Sequence, residues 1–211
     1  MQRLTSERLL LAYAQGVFPM APSAADPQLY WFDPPERGIL PVGALHVSRS
    51  MRRFLRGCTW RATLNRDLLG VIAGCADRPE TWINAPLVAL YLDLHRQGHA
   101  HSVEVWQGDE LIGGTYGISL GGAFFAESMF SRRDNASKAA LLWLSWQLAR
   151  CGFTLWDTQY PTAHLASLGG LAVSRGDYRR RLAQAVRLPV RFSGAPLPSP
   201  QLLLQEITQT S

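Results

Sequence analysis

FFAESMFSRRDNASKAALLWLSWQLARCGFTLWDTQY, residues 124–160, decides how this chain folds. It opens on an apolar run that carries one acid, Glu127, followed by a polar loop from Ser131 to Asn135. A helix pattern comes next, then a short apolar run that ends in Asp157-Thr158-Gln159. The order is strand, loop, helix, strand, with polar side chains at the carboxyl ends of both strands, where ligands gather in open α/β sheets. Asp134 or Asn135 is expected to cap the helix. Ala139, Leu142, Trp143, Trp146 and Ala149 share one face, and Leu141, Leu144 and Leu148 nearly close the ring, so a buried helix is expected. Gly152 suits its C′ position. Beyond it, a period of two places Phe153, Leu155, Asp157 and Gln159 on one face, an acid beside an amide. Taken alone, that pair reads as a strand-end turn network before it reads as chemistry.

Working outward, the rest of the chain is globular in composition: 47% hydrophobic and 18% charged over 211 residues, enough for a sizeable core in one domain or two small ones. No signal-peptide pattern opens it, and no apolar run reaches the ~20 residues of a membrane span. Cys58, Cys75 and Cys151 have no paired spacing, so three free thiols in a reducing cytoplasm are expected. The net charge is +5, and Lys138 is the single lysine. Arg49, Arg52, Arg53 and Arg56 fall at i, i+3, i+4, i+7 and form one basic stripe on a helix, with Met51, Phe54 and Leu55 turned inward. Such a stripe suits nucleic-acid phosphates as well as plain solvent. The cluster Arg179-Arg180-Arg181 takes the solvent reading.

Residues 1–16 read as a helix that Gly16 stops. Residues 17–45 read as a Pro-rich aromatic loop, since Pro19, Pro22, Pro27, Pro34, Pro35 and Pro41 argue against an interior strand. With the helix it forms a small N-terminal unit over residues 1–60, ahead of a larger domain over 61–211. A strand is expected over 61–64, a helix over 66–76, and a helix from Pro86 with Leu87, Leu90, Tyr91 and Leu94 inward. His99 and His101 lack further metal ligands nearby in sequence, so hydrogen-bonded strand-start histidines are expected and no metal site. Residues 102–130 read as an antiparallel meander, with Gly113-Gly114 marking a bulge or a close backbone approach. A helix over 174–186 and a last strand over 188–193 complete the order. The class is α+β, and the order is similar to the acyltransferase fold of the GNAT N-acetyltransferases. Those enzymes seat coenzyme A pyrophosphate on a Gly-rich loop. The loop here, residues 129–137, has no glycine, so a coenzyme A donor is disfavoured.

Several words in register resemble one family. They are Gly16-Val17-Phe18-Pro19, Leu45-His46-Val47-Ser48-Arg49-Ser50-Met51, Thr81-Trp82-Ile83, the run from Gly98 to Trp106, Gly113-Gly114-Thr115-Tyr116-Gly117, Glu127-Ser128-Met129-Phe130-Ser131 and Asn135-Ala136-Ser137-Lys138. From about Leu4 to Arg181 the chain resembles the leucyl/phenylalanyl-tRNA–protein transferases. That resemblance implies transfer of Leu or Phe, and Met less well, from aminoacyl-tRNA to proteins with an N-terminal Arg or Lys, which marks them for N-end rule degradation. It implies a small N-terminal domain on a GNAT-like domain, and no cofactor. Carried over by position, the catalytic Asp and Gln fall on Asp157 and Gln159, and the aminoacyl-binding acid on Glu127. The side-chain pocket falls on Phe124, Met129, Leu144 and Trp156 with Thr115 beside it, and the tRNA 3′ adenosine near Trp82. Met20 replaces a frequent Trp after Phe-Pro, so one aromatic platform is lost. Thr115 and Leu144 stand where bulkier residues occur, which bears on donor preference.

Aminolysis of an activated ester by an α-amine needs positioning and a proton acceptor and no metal. His164 is expected to be a structural hydrogen-bonder. Because Phe124 and Glu127 are out of phase on a regular strand, both line one site only where the strand bulges or splays. Two rivals stand beside this reading: an acyl-CoA N-acetyltransferase and a non-enzymatic tRNA-binding module.

Overall fold

The computed structural model describes residues 4–194 and 196–209. Helix α1, Ser6–Ala14, starts where the Thr5 hydroxyl accepts the Arg8 N–H, and ends at Gly16, whose φ of +82° only glycine adopts at little cost. The chain then makes a two-stranded antiparallel sheet from β1, Phe18–Met20, and β2, Tyr30–Phe32. The next strand, β3, is Glu36–Leu40, followed by α2 over Arg49–Gly57, β4 over Arg61–Leu64, α3 over Leu68–Ala76 and α4 over Ala85–Arg96. The meander is β5, Ala100–Gln107, β6, Glu110–Leu120, and β7, Ala123–Ser131. Helix α5, Ala136–Cys151, leads to β8, Leu155–Asp157. A short α6, Ala163–Ser167, precedes β9, Leu171–Ser174, and α7, Arg175–Ala185; α8, Pro200–Gln209, closes the described chain.

Seven strands form one sheet in the order β4-β5-β6-β7-β8-β3-β9. Every neighbouring pair is antiparallel except β7 and β8, which the α5 crossover makes parallel. This is the α+β order expected from the sequence, an antiparallel meander followed by a crossover helix and a parallel strand. On one face of the sheet α1, α3, α4 and α7 bury Leu9, Tyr13, Ile72, Leu87, Tyr91 and Leu182; on the other, α2, α5 and α8 bury Leu55, Trp143, Leu144 and Leu203.

Four expectations need correcting. The Pro-rich stretch does hold an interior strand: β3 lies between β8 and β9. Its prolines, Pro35 and Pro41, flank it, so no ladder donor is lost within it. Of residues 1–60, the described part up to Phe32 carries α1 and the small sheet, whereas β3 and α2 belong to the large sheet and its helical layer. Neither Asp134 nor Asn135 caps α5 through its side chain. Asn135 takes a left-handed φ of +73°, and the Ser131 hydroxyl accepts the Ser137 N–H at 3.1 Å instead. Residues 188–193 form no strand. Phe192 there stacks on His101 at 4.2 Å and on Phe124 at 5.9 Å, so side-chain packing rather than a ladder holds the segment.

Gly113 and Gly114 serve close approach: a Cβ on Gly113 would lie 2.6 Å from the Ala136 side chain, and one on Gly114 2.9 Å from Val71. The β5–β6 register also shifts beside them, between Val105 and Trp106.

Candidate functional site

The parallel strands β7 and β8 pair only over Ala123–Phe125 and Leu155–Asp157. Past that point they part, β7 continuing to Ser131 with β6 alone as partner. Side chains at the ends of two diverging strands can then face each other across the gap.

Glu127 stands at this place. Gly117 pairs with Ala126 and Tyr116 with Ser128, so Glu127 is the extra residue of a β-bulge. One carboxylate oxygen accepts the Tyr13 hydroxyl of α1 at 2.7 Å, and the other accepts the Tyr91 hydroxyl of α4 at 2.8 Å. The Gln159 side-chain amide comes to 3.5 Å from across the gap. Burial pushes the Glu127 carboxyl up to about 7; the two phenol hydrogen bonds and the Arg37 charge pull it down, and the Asp157 charge adds to the rise. Burial and Glu127 together push both phenols well above their ordinary value, so they stay protonated and donate. Tyr116 packs edge-on against Tyr91 at 5.4 Å, and its buried hydroxyl has no hydrogen-bond partner among the described residues.

Asp157 is fully buried. Arg37 of β3 grips it with two parallel bonds, Nε to Oδ1 at 2.9 Å and Nη2 to Oδ2 at 2.7 Å. The Tyr178 hydroxyl of α7 donates to Oδ2 at 2.8 Å, and the Gln159 backbone N–H donates to Oδ1 at 2.8 Å. Asp157 and Gln159 are thus joined, but through the Gln159 main chain and not side chain to side chain. Gln159 has left the strand with φ +59°, and Phe153 packs with Phe124 on the α5 face, so the even alternation expected over residues 153–159 does not hold. The turn-network reading and the catalytic reading describe the same atoms.

The apolar candidates lie on the other face. Phe124 and Trp156 are buried beneath α5 together with Leu144 of that helix, and the half-buried Met129 packs against the same layer. Thr115 is opposite Met129 in the ladder and donates its hydroxyl to the Ser128 carbonyl at 3.0 Å. The bulge therefore does not bring Phe124 and Glu127 to one face. Trp82, half-buried against the layer of α3 and α4, is on the Glu127 side. Beside Ser128 a cleft of about 220 Å³ is lined by Arg78, Arg132, Asp77 and Met129. Arg78 is fixed there by its bonds to the Cys75 carbonyl at 2.6 Å and the Ser128 hydroxyl at 2.9 Å.

The stripe arginines lie on α2, in the opposite layer. Arg49, Arg53 and Arg56 are exposed, Arg52 is half-buried with Nε on the Val47 carbonyl at 3.1 Å, and Met51 and Leu55 are buried. His99 bonds the Ser119 carbonyl at 3.0 Å, and His101 bonds Asn65 and Ser119, both at 3.1 Å, as hydrogen-bonded strand-start histidines would. His164 departs from expectation: its Nε2 is buried without a hydrogen-bond partner among the described residues, and burial and Lys138 lower its pKa. Among the described residues no group of three His, Cys, Asp or Glu side chains is arranged to hold a metal, and no helix is long and apolar enough to cross a membrane.

Arg37, Tyr13, Tyr91, Tyr116 and Tyr178 do not stand out in the sequence. The signals are slight: an arginine inside an apolar strand, and tyrosines on the buried faces of α1, α4, α7 and, for Tyr116, β6, whose hydroxyls need partners.

The family profile described as leucyl/phenylalanyl-tRNA protein transferase matches residues 39–183, and that of the family's N-terminal domain matches residues 2–35. The chain belongs to the leucyl/phenylalanyl-tRNA–protein transferase family. A leucyl/phenylalanyl-tRNA–protein transferase of Paracoccus denitrificans is 71% identical over 99% of this chain and 98% of its own length. Another, from a Ruegeria species, is 56% identical over 99% of both. Among solved structures, L-PGS from Bacillus licheniformis is 12% identical over 76% of this chain and 55% of its own, with a TM-score of 0.40. The N-terminal profile ends at residue 35, just before β3, and the larger one begins at residue 39, within it, so the break falls where the chain enters the large sheet.

Proposed function

We propose that this protein moves a leucyl or phenylalanyl group from aminoacyl-tRNA to the α-amino group of proteins that begin with Arg or Lys, and so marks them for degradation. The observation that carries this reading is the meeting of Glu127 and Gln159, 3.5 Å apart, across the gap between β7 and β8 in a chain of this family. The donor's ammonium lies against Glu127 in a charge-assisted bond, in reach of a carboxylate that accepts two phenols and has further lone pairs free. Its apolar side chain passes through the gap toward Phe124, Met129, Leu144 and Trp156, with Thr115 beside them. The terminal adenosine lies near Trp82, and Arg78 and Arg132 offer positive charge to the phosphates that follow it.

In the reaction the acceptor's amine nitrogen attacks the ester carbonyl carbon. The new C–N bond forms as the bond to the ribose 3′-oxygen breaks, and that oxygen leaves with a proton lost by the amine. The Gln159 side-chain carbonyl aligns the amine. Asp157 holds Gln159 through its main chain, and its charge is matched by Arg37 rather than aimed at the amine. Those roles act in the transition state, so their loss appears in kcat more than in tRNA affinity.

The deciding assay mixes the protein with labelled Leu-tRNA and a peptide that begins with Arg, and looks for Leu-Arg product. Label that stays on tRNA would remove the reading. An apolar pocket separates donors that differ by one methylene by only ~1–3 kcal/mol, so slower transfer of Met is expected. A polar donor would bury an unpaired group, and Asp-tRNA or Lys-tRNA reacting as fast as Leu-tRNA would contradict the pocket.

A further inference from the structure

We infer that Arg37 and Tyr178 are positioning residues for this transfer, locking the two halves of the site into one geometry through Asp157 and α1. The inference rests on the functional reading above but uses residues that the reading leaves unassigned. Arg37 is 1% exposed although it is a full cation, and every face of its guanidinium is occupied. The edge formed by Nε and Nη2 grips Asp157 with two bonds. Nη1 donates to the Gly16 carbonyl at 2.9 Å, at the turn that ends α1. The plane lies between the rings of Phe18 and Tyr178, with its carbon 4.5 and 4.4 Å from their centroids. Gly16 fits closely here, since a Cβ on it would come within 3.1 Å of the Tyr178 ring.

One side chain therefore anchors both arms of the site. Through Gly16 it fixes α1, which carries the Tyr13 hydroxyl bound to Glu127. Through Asp157 it fixes the Gln159 N–H, and with it a residue held at φ +59°. That backbone state costs a non-glycine residue energy and persists only where its surroundings over-determine it. Asp157 has spent its oxygens on Arg37, Tyr178 and the Gln159 N–H, so the carboxylate serves geometry. A purely stabilising ion pair would need no such link: its loss would lower the melting temperature and leave the folded fraction fully active.

Two variants of the full-length protein test this. Tyr178→Phe removes one hydrogen bond to Asp157 and leaves no buried charge unpaired. Its single-turnover transfer of Leu to an Arg peptide is expected to fall about tenfold, with the Km for Leu-tRNA within about twofold, and its Gln159 amide to exchange hydrogen faster. Arg37→Lys keeps the charge but loses the planar fork and the stacking, and is expected to fall about a hundredfold where it folds. Folded Tyr178→Phe with wild-type kcat and unchanged Gln159 exchange would overturn the inference whatever Arg37→Lys does. If the wild-type protein transfers nothing, the functional reading fails alone, and the Gln159 exchange rate still reports on the lock.

Discussion

A carboxyl held between two phenols and pushed up to about 7, as Glu127 is, changes charge near neutrality. Its folded value lies above the ~4.3 of an unfolded glutamate, so its contribution to stability is complete below about pH 4 and is lost as the pH rises through about 7. Relative to Glu127→Gln, which does not ionise, the free wild-type protein is expected to lose up to ~4 kcal/mol over that window. Parallel stability curves for the two proteins, from urea melts at several pH values, would contradict this. Asp157 behaves differently, because its partner is a buried cation. Asp157→Asn keeps the shape but strands the Arg37 charge, and breaking such a pair costs ~3–5 kcal/mol. A loss confined to kcat follows from the sequence; the structure adds a loss of stability, and an unchanged denaturation midpoint would count against it. Asp157 and Gln159 stand out in the sequence as polar side chains closing an apolar run, and Glu127 as the single acid within one. Arg37, Tyr13, Tyr91 and Tyr178 do not, because each partner lies on a different element and no local pattern encodes the pairing.

At the scale of elements, α5 and the meander follow from periodicity, and the helix is buried almost all round as its residues require. Strand β3 escaped because five residues between prolines look like loop, and its place in the sheet comes from pairing with β8 and β9, both late in the chain. Strand β8 is three residues long and stops where Asp157 begins its turn, so the period of two could not extend to Gln159. For α2 the apolar stripe sets the orientation: Met51 and Leu55 go inward and force Arg49, Arg53 and Arg56 outward. These arginines are expected to meet the phosphates of the tRNA acceptor arm. Replacing Arg53 and Arg56 by Glu should weaken Leu-tRNA binding and flatten its dependence on salt, by roughly one unit of slope for each phosphate left without its arginine. The rate with a minimal aminoacyl-adenosine donor should hold, since α2 is in the layer away from Glu127. Equal losses with both donors would make the stripe a structural feature only.

Over the whole molecule, the sheet is closed by segments distant in sequence, so the site depends on parts that never touch it. Helix α8 lies beyond the residues that the family profile matches, yet it covers both α2 and α5. Its Leu203 is fully buried and Leu204 nearly so. The Gln201 amide donates to the carbonyls of Leu55, Arg56 and Cys58 at the end of α2, where a helix runs out of its own donors. The Trp143 indole donates to the Pro198 carbonyl at 2.9 Å, and the Trp146 indole to Glu206. Ending the chain at Gly194 removes all of these together. It exposes the outer side of α5 and frees the last turn of the basic helix. Burial of the two leucines alone is worth ~3–6 kcal/mol, so a large fall in the urea midpoint is expected. Where the shortened protein still folds, frayed α2 ends should weaken full-length tRNA binding before they slow transfer from aminoacyl-adenosine. A truncated chain with the full-length midpoint and unaltered tRNA affinity would show that α8 is an ornament to the fold and not the element that holds α2 in place.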